Sequence, residues 1–168
     1  MILTMGKLKI LIGDLVHNTM VYNYGVPLNI GYITATVMKK YPNDVDIKMF
    51  KFADDIIRAI IENKPHILAL SNLGWNVNLN KAVIKIAKEN NPDVLVVLGG
   101  PNIRNNNEGK HQFLIENPLV DFYIFGEGED GFADLIENCL SVGLTKTGEK
   151  IRKKGIKIAK ENNPDVLV

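Results

Sequence analysis

Apolar and polar positions follow two rhythms along this chain. Residues 8–15 (LKILIGDL), 66–73 (HILALSNL) and 93–98 (DVLVVL) are short, nearly continuous apolar runs, as strands buried on both faces of a sheet require. Residues 44–52 (DVDIKMFKF) alternate at period two, which predicts a strand with one face less buried. Residues 120–125 (VDFYIF) make a fifth strand. Helical spacing fills the gaps. Pro27 suits a first helical turn and opens a helix to about Tyr41, with Ile30, Ile33 and Val37 on one face. Asp54 and Asp55 favour the start of a second helix, whose stripe is Ile56, Ile57, Ile60 and Ile61 and which ends at Lys64–Pro65. The third runs from about Val77 to Asn90, with Leu79, Val83, Ile86 and Ala87 facing inward. Residues 102–117 are polar and poorly periodic, predicting a loop and a short helix through Phe113 and Leu114. A last helix, 131–140, is carried by Phe132, Leu135, Ile136 and Cys139.

Strands alternating with helices predict an α/β fold with both faces of a parallel sheet covered. The right-handed crossover rule narrows this to a doubly wound, flavodoxin-like or Rossmann-like sheet of five strands in the order 2-1-3-4-5. The length, 168 residues, fits one domain, and 46% apolar content excludes a disordered chain. A net charge of +1 gives no field that argues for nucleic acid or a membrane surface. No stretch reaches the roughly 18 apolar residues of a membrane span. The opening MILTMGKLKILIG lacks a cleavage site and reads as the approach to a strand. We therefore expect a cytoplasmic protein with no nucleic-acid or membrane partner.

The chain divides at about residue 143. Residues 144–168 hold seven Lys/Arg against three Asp/Glu, whereas residues 1–143 hold 13 against 16. Within this basic tail, residues 156–168 (IKIAKENNPDVLV) repeat residues 84–96 without one difference. A structural repeat keeps its pattern while its sequence drifts. We expect the tail to be a recent duplication or an assembly artefact without function of its own, appended to an α/β domain of residues 1–143.

In an open parallel sheet, ligands bind beyond the carboxyl ends of the strands. Those ends carry Asp14, Val16, His17 and Asn18; Ser71, Leu73, Trp75 and Asn76; Gly99, Gly100, Pro101 and Asn102; and Gly126, Glu127 and Gly128. Glycine there serves close approach of a ligand or turn geometry alone. Ser71 also suits a turn cap before the third helix, Trp75 packing as well as stacking, and Glu127 a helix N-terminus. His66 lies at the opposite edge and reads as structural, and His111 as solvated. Several chemistries fail at particular residues. Only Gly13 follows the first strand, so G-x-G-x-x-G is absent, as are a P-loop and a G-x-S-x-G elbow. A phosphoacceptor receiver would need acidic and lysine residues where Ser71 and Gly126 stand. With one cysteine, Cys139, and three scattered histidines, the chain builds no metal site by itself.

Four motifs in order carry a resemblance. Residues 27–37 (PLNIGYITATV) resemble a first-helix signature, Ser71-Asn72-Leu73 an S-x-L motif, Gly99-Gly100-Pro101 a G-G-P motif, and Gly126-Glu127-Gly128-Glu129 with Phe132 a G-E-G-E…F motif. Together, over about residues 7–142, they resemble the cobalamin-binding domain that precedes the catalytic domain of cobalamin-dependent radical S-adenosylmethionine enzymes. The resemblance implies a base-off cobalamin at the strand ends, with its nucleotide tail beside Ser71, Gly99 and Gly100. It implies corrin contacts from the loop at 16–25 and from Asn18, Asn76 and Asn102. Related domains that ligate cobalt use D-x-H-x-x-G after the first strand. Aligning on Asp14 puts Val16 at the ligand position and Thr19 at the glycine position, with His17 one residue late. The resemblance therefore implies histidine-off cobalamin, with His17 the only candidate cobalt ligand. It further implies that the iron–sulfur cluster and S-adenosylmethionine belong to a catalytic domain outside this chain, which alone would have no activity. A flavodoxin-like flavin- or nucleotide-binding domain, or an interaction module, is the alternative reading.

Overall fold

Strands whose side chains are apolar on both faces need cover on both sides, and the helices supply it. The computed structural model describes residues 6–18, 25–104, 106–142 and 166–167. In chain order these form β1 (Leu8–Val16), α1 (Leu28–Lys40), β2 (Val45–Phe52), α2 (Ala53–Asn63), β3 (Ile67–Ser71), α3 (Val77–Asn90), β4 (Leu95–Gly99), α4 (Asn107–Glu116), β5 (Phe122–Ile124), α5 (Gly128–Val142) and β6 (Val166–Leu167). The sheet order is β2-β1-β3-β4-β5-β6. Its first five strands run parallel in the order expected from the sequence.

Alternation along the strands sorts the core into two layers. Ile10, Ile12, Ile67, Ala69, Leu95 and Val97 face α1 and α5, where they meet Ile30, Val37, Phe132 and Ile136. Leu11, Leu68, Leu70, Val96 and Leu98 point the other way and pack with Ile56 and Ile60 of α2 and Val83, Ile84 and Ala87 of α3. Two inward residues differ from expectation. Ile61 is 53% exposed, and Ile84, not Ile86, is buried in α3. Each of the two stands about 100° round its helix from a buried neighbour, Ile60 or Ala87, and so faces away from the line of contact with the sheet. The helix α5 starts at Gly128, a turn earlier than its apolar spacing suggests. No described helix is long and apolar enough to cross a membrane.

The amino-terminal edge of the sheet is closed by polar contacts. Lys88 and Asp121 meet at 2.6 Å, both little exposed, and Asp121 Oδ2 also accepts the Val96 N–H at 2.8 Å. Lys88 donates to the Val94 carbonyl at 2.7 Å. His66 has the structural role expected of it, since its Nδ1 accepts the Lys9 N–H at 2.9 Å.

A sixth strand was not expected. Val166 and Leu167, the counterparts of Val94 and Leu95 in the repeated segment, pair antiparallel with Ile124 and Tyr123. The rest of the tail, like residues 1–5 and the part of the first loop at 19–24, lies outside the described residues.

Two outcomes follow. Burial, and secondarily the charge of Lys9, lowers the His66 pKa below its usual 6.5. As pH falls below about 6.5, the unfolded chain takes up the proton first, so the native state loses stability. Denaturation midpoints measured from pH 8 to pH 5 should show this loss, and His66→Gln, which keeps an acceptor, should reduce it. Among the described residues, deleting 144–168 removes a two-residue edge pairing, so Tm should fall by at most about 3 °C. A much larger fall in a thermal melt would show that the tail supports the domain.

Candidate functional site

On the α1/α5 face, side chains shrink toward the carboxyl ends of the strands. Ile10, Ile67 and Leu95 fill the lower level, in a closed core. One pleat higher, Ile12 pairs with Ala69 and Ala69 with Val97; above them Ser71 pairs with Gly99. Where side chains are this small, α1 and α5 cannot close onto the sheet, and a cavity of about 420 Å³ opens. That volume is within the usual range for a small-molecule site, about 300–1,000 Å³.

The cavity is apolar below and polar at its mouth. Ile12, Ala69, Val97 and Ile124 form the sheet wall, and Ile30, Ile33 and Phe132 the helix wall. Asn29, Ser71, Glu127 and Glu129 contribute the polar side chains, all at the ends of elements. Eight residues expected at the site line it: Ser71, Leu73, Gly99, Gly100, Pro101, Gly126, Glu127 and Gly128. The Ser71 hydroxyl donates to Asp14 Oδ1 at 2.5 Å, so it joins β3 to β1 and does not cap α3.

Gly100 cannot carry another side chain without cost. Its φ is +125°, and a Cβ would sit 2.8 Å from the Asn72 carbonyl oxygen. The turn it makes is held against the start of the β3–α3 loop. The Asn72 N–H donates to Gly99 O at 2.6 Å, and the Asn102 N–H donates to Asn72 O at 3.3 Å. The Asn72 amide donates to Asn102 O at 3.1 Å and to the Tyr123 hydroxyl at 3.3 Å. That hydroxyl in turn donates to Gly100 O at 2.8 Å.

The remaining expected residues lie elsewhere on the same edge. His17 Nε2 is 3.0 Å from the Trp75 carbonyl oxygen, while Trp75 as a residue is 62% exposed. Val16 pairs with Phe52 after a register shift in β1, and Asn18 donates to Asp54 at 3.3 Å. Asn76 departs from the surface role expected of it. It is fully buried, and its Oδ1 accepts from the Leu73 N–H and from Asn80. Asn102 lines a different cavity, about 500 Å³, on the opposite face between α3 and α4. Amides (Asn72, Asn80), apolar side chains (Ile84, Phe113) and the rim cations Lys81 and Arg104 line that space. Its outer wall is the segment that lacked periodicity in the sequence. Sequence reasoning also omitted Asn29, Ile33 and Glu129 from the site, although the first-helix and G-E-G-E motifs contain them.

Among the described residues, no three His, Cys, Asp or Glu side chains cluster to hold a metal. Cys139 is buried in the α1/α5 layer, and desolvation pushes its thiol pKa up to about 12.

Comparison with known proteins fits this geometry. Residues 16–136 match the B12 binding domain. The chain belongs to that family. Among curated proteins, it is 40% identical over 78 residues to the cobalamin-dependent radical SAM methyltransferase TokK of Streptomyces tokunonensis, covering 46% of this chain and 11% of that protein. It is 38% identical over 72 residues to the 2-(S-pantetheinyl)-carbapenam-3-carboxylate methyltransferase of Streptantibioticus cattleyicolor, covering 43% and 10% respectively. An uncharacterized methyltransferase of Pyrococcus horikoshii is 29% identical over 130 residues, or 74% of this chain and 27% of the other. The chain thus spans about a tenth of the first two relatives and about a quarter of the third. A cobalamin-binding protein from Desulfitobacterium hafniense shares the fold with a TM-score of 0.50 at 16% identity, over 79% of this chain and 57% of its own. So does the adenylate cyclase structure from Rhodopirellula baltica, with a TM-score of 0.50 at 12% identity, over 92% and 95%. At such identities the likeness concerns fold alone.

Proposed function

We propose that this B12-binding domain holds cobalamin base-off, with the nucleotide tail in the α1/α5 cavity and the corrin across the carboxyl edge. We propose further that it serves a radical S-adenosylmethionine catalytic domain. The observation that carries the first reading is the cavity itself. Its walls are made by the S-x-L, G-G-P and G-E-G-E motif residues, and Gly99, paired with Ser71, leaves space that a larger side chain would fill. The names of the two relatives near 40% identity support the second.

Each wall has a task under this reading. Ile12, Ile33, Val97 and Phe132 exclude water from the buried end of the tail, and Ser71 and Asn29 offer hydrogen bonds at the mouth. Trp75 presents an exposed ring to the corrin edge. The cofactor supplies organometallic chemistry; the protein supplies position and a dry pocket. Cys139 is the only cysteine of the chain, so an iron–sulfur cluster would come from other residues than these. The domain by itself should transfer no methyl group.

Hydroxocobalamin mixed with the protein and then desalted should leave a corrin spectrum on it, while flavin mononucleotide should not be retained. Ser71→Phe, which places a ring in the cavity, should abolish corrin retention at an unchanged helix signal. Binding that survives the substitution would remove the tail from this cavity.

The lower axial position of cobalt should hold water or nothing. Val16 aligns with the ligand histidine of related domains, and His17 Nε2 already faces the Trp75 carbonyl. The bound spectrum should stay base-off and histidine-off from pH 5 to pH 8, with no transition near the ordinary histidine pKa of about 6.5. Electron paramagnetic resonance of the cobalt(II) form should lack nitrogen superhyperfine splitting. Splitting that vanishes in His17→Ala would make His17 the ligand and refute this arrangement.

A further inference from the structure

Tyr123 is fully buried, yet it does not touch the cavity through its ring. Its side chain belongs to the layer that packs α2 and α3, the face opposite the cavity. Phe113 stands edge-on to the ring at 5.1 Å between centroids, and Phe125 is tilted against it at 4.9 Å. A phenylalanine would satisfy that packing equally well. Burying the hydroxyl costs free energy unless it is hydrogen-bonded, and it reaches past the end of the strand to do so. It donates to the Gly100 carbonyl at 2.8 Å and accepts from Asn72 at 3.3 Å. Burial pushes its pKa above the usual 10, so the donor proton stays in place at neutral pH. One hydroxyl thus joins the ends of β3, β4 and β5 where the Gly99–Pro101 turn becomes a cavity wall.

We propose that Tyr123 is a positioning residue for the nucleotide-tail cavity, fixing the Gly99–Pro101 wall from the far side of the sheet. The proposal rests on the cobalamin reading above. The turn has its glycine, at φ +125°, directly against Asn72, and Asn72 is held in turn by Tyr123 and Asn102. Without the hydroxyl, Gly100 O loses its side-chain donor, and the turn relaxes relative to Ser71 and Ala69 on the neighbouring strand. The corrin, lying outside the strand ends, is indifferent to this shift. The nucleotide tail is not.

That difference defines the test. Dissociation constants for cobalamin, and for cobinamide, which has the corrin without the nucleotide, are measured by absorbance titration of the full chain and of Tyr123→Phe. The full chain should prefer cobalamin. Tyr123→Phe should lose about tenfold in cobalamin affinity while cobinamide affinity stays within about twofold. Gly100→Ala, which pushes the same turn from its other side, should show the same selective loss. Equal binding of cobalamin by Tyr123→Phe and the full chain overturns the proposal, and so does a parallel loss for both corrinoids, which a general weakening of the fold would produce. Selective loss in Gly100→Ala alone overturns it too, because the glycine backbone would then hold the turn unaided. A full chain that binds both corrinoids equally well refutes the tail placement itself, and one that binds neither refutes the cobalamin reading.

Discussion

A protein interior is packed nearly as densely as an organic crystal, so space inside a doubly wound sheet exists only where side chains are withheld. Here the withholding is graded. The row Ile10–Ile67–Leu95 closes the core, Ala69 thins the next row, and Ser71 and Gly99 almost remove the last. The ladders between β1, β3 and β4 keep the backbone in place while the side chains recede, which gives the cavity a rigid wall. The helices α1 and α5, in contact with each other, span a gap they do not fill.

Polar groups complete the shape at both ends of the sheet, by different means. The amino edge is joined by a buried ion pair, Lys88–Asp121, whose carboxylate also takes a backbone N–H. Breaking such a pair leaves an uncompensated charge, so it acts as a strong local constraint. The carboxyl edge is tied by the amides of Asn72, Asn76 and Asn80 and the Tyr123 hydroxyl, together with the Ser71–Asp14 hydrogen bond. Satisfied networks of this kind fix the backbone that forms the rim.

Much of this was legible in the residues. The order of strands follows from the alternation of apolar runs with helical stripes, because a parallel sheet admits few connections. Ser71, Gly99 and Gly100, singled out in the sequence, line the cavity, although Gly100 is a glycine for its own turn, where φ is +125° and a Cβ would meet the Asn72 carbonyl. Asn76 was misread because sequence does not separate an asparagine that serves a ligand from one that serves its own loop. The contact of Tyr123 with Gly100 joins residues 23 apart through the third dimension, and no local pattern encodes it. The α3/α4 cavity was invisible for a related reason. Its outer wall, residues 102–117, has no periodicity from which a face could be deduced. In α3, a stripe through Ile84 and one through Ile86 compete, and only the crossing of the helix over β1 and β3 decides between them.

Val166 and Leu167 repeat Val94 and Leu95, yet the first copy leads into a strand that runs parallel inside the sheet and the second pairs antiparallel at its rim. The copies agree over residues 84–96 and 156–168, and the first is followed by Val97, Leu98 and Gly99, which complete β4. Tether length differs as well. Measured from the end of β3, the second copy closes a loop roughly fourfold longer than the first, which costs about 1.2 kcal/mol more in chain entropy. Loop closure therefore favours the nearer copy for the central place and the farther one for the outer edge. Position along the polymer thus helps give one string of residues two structural fates.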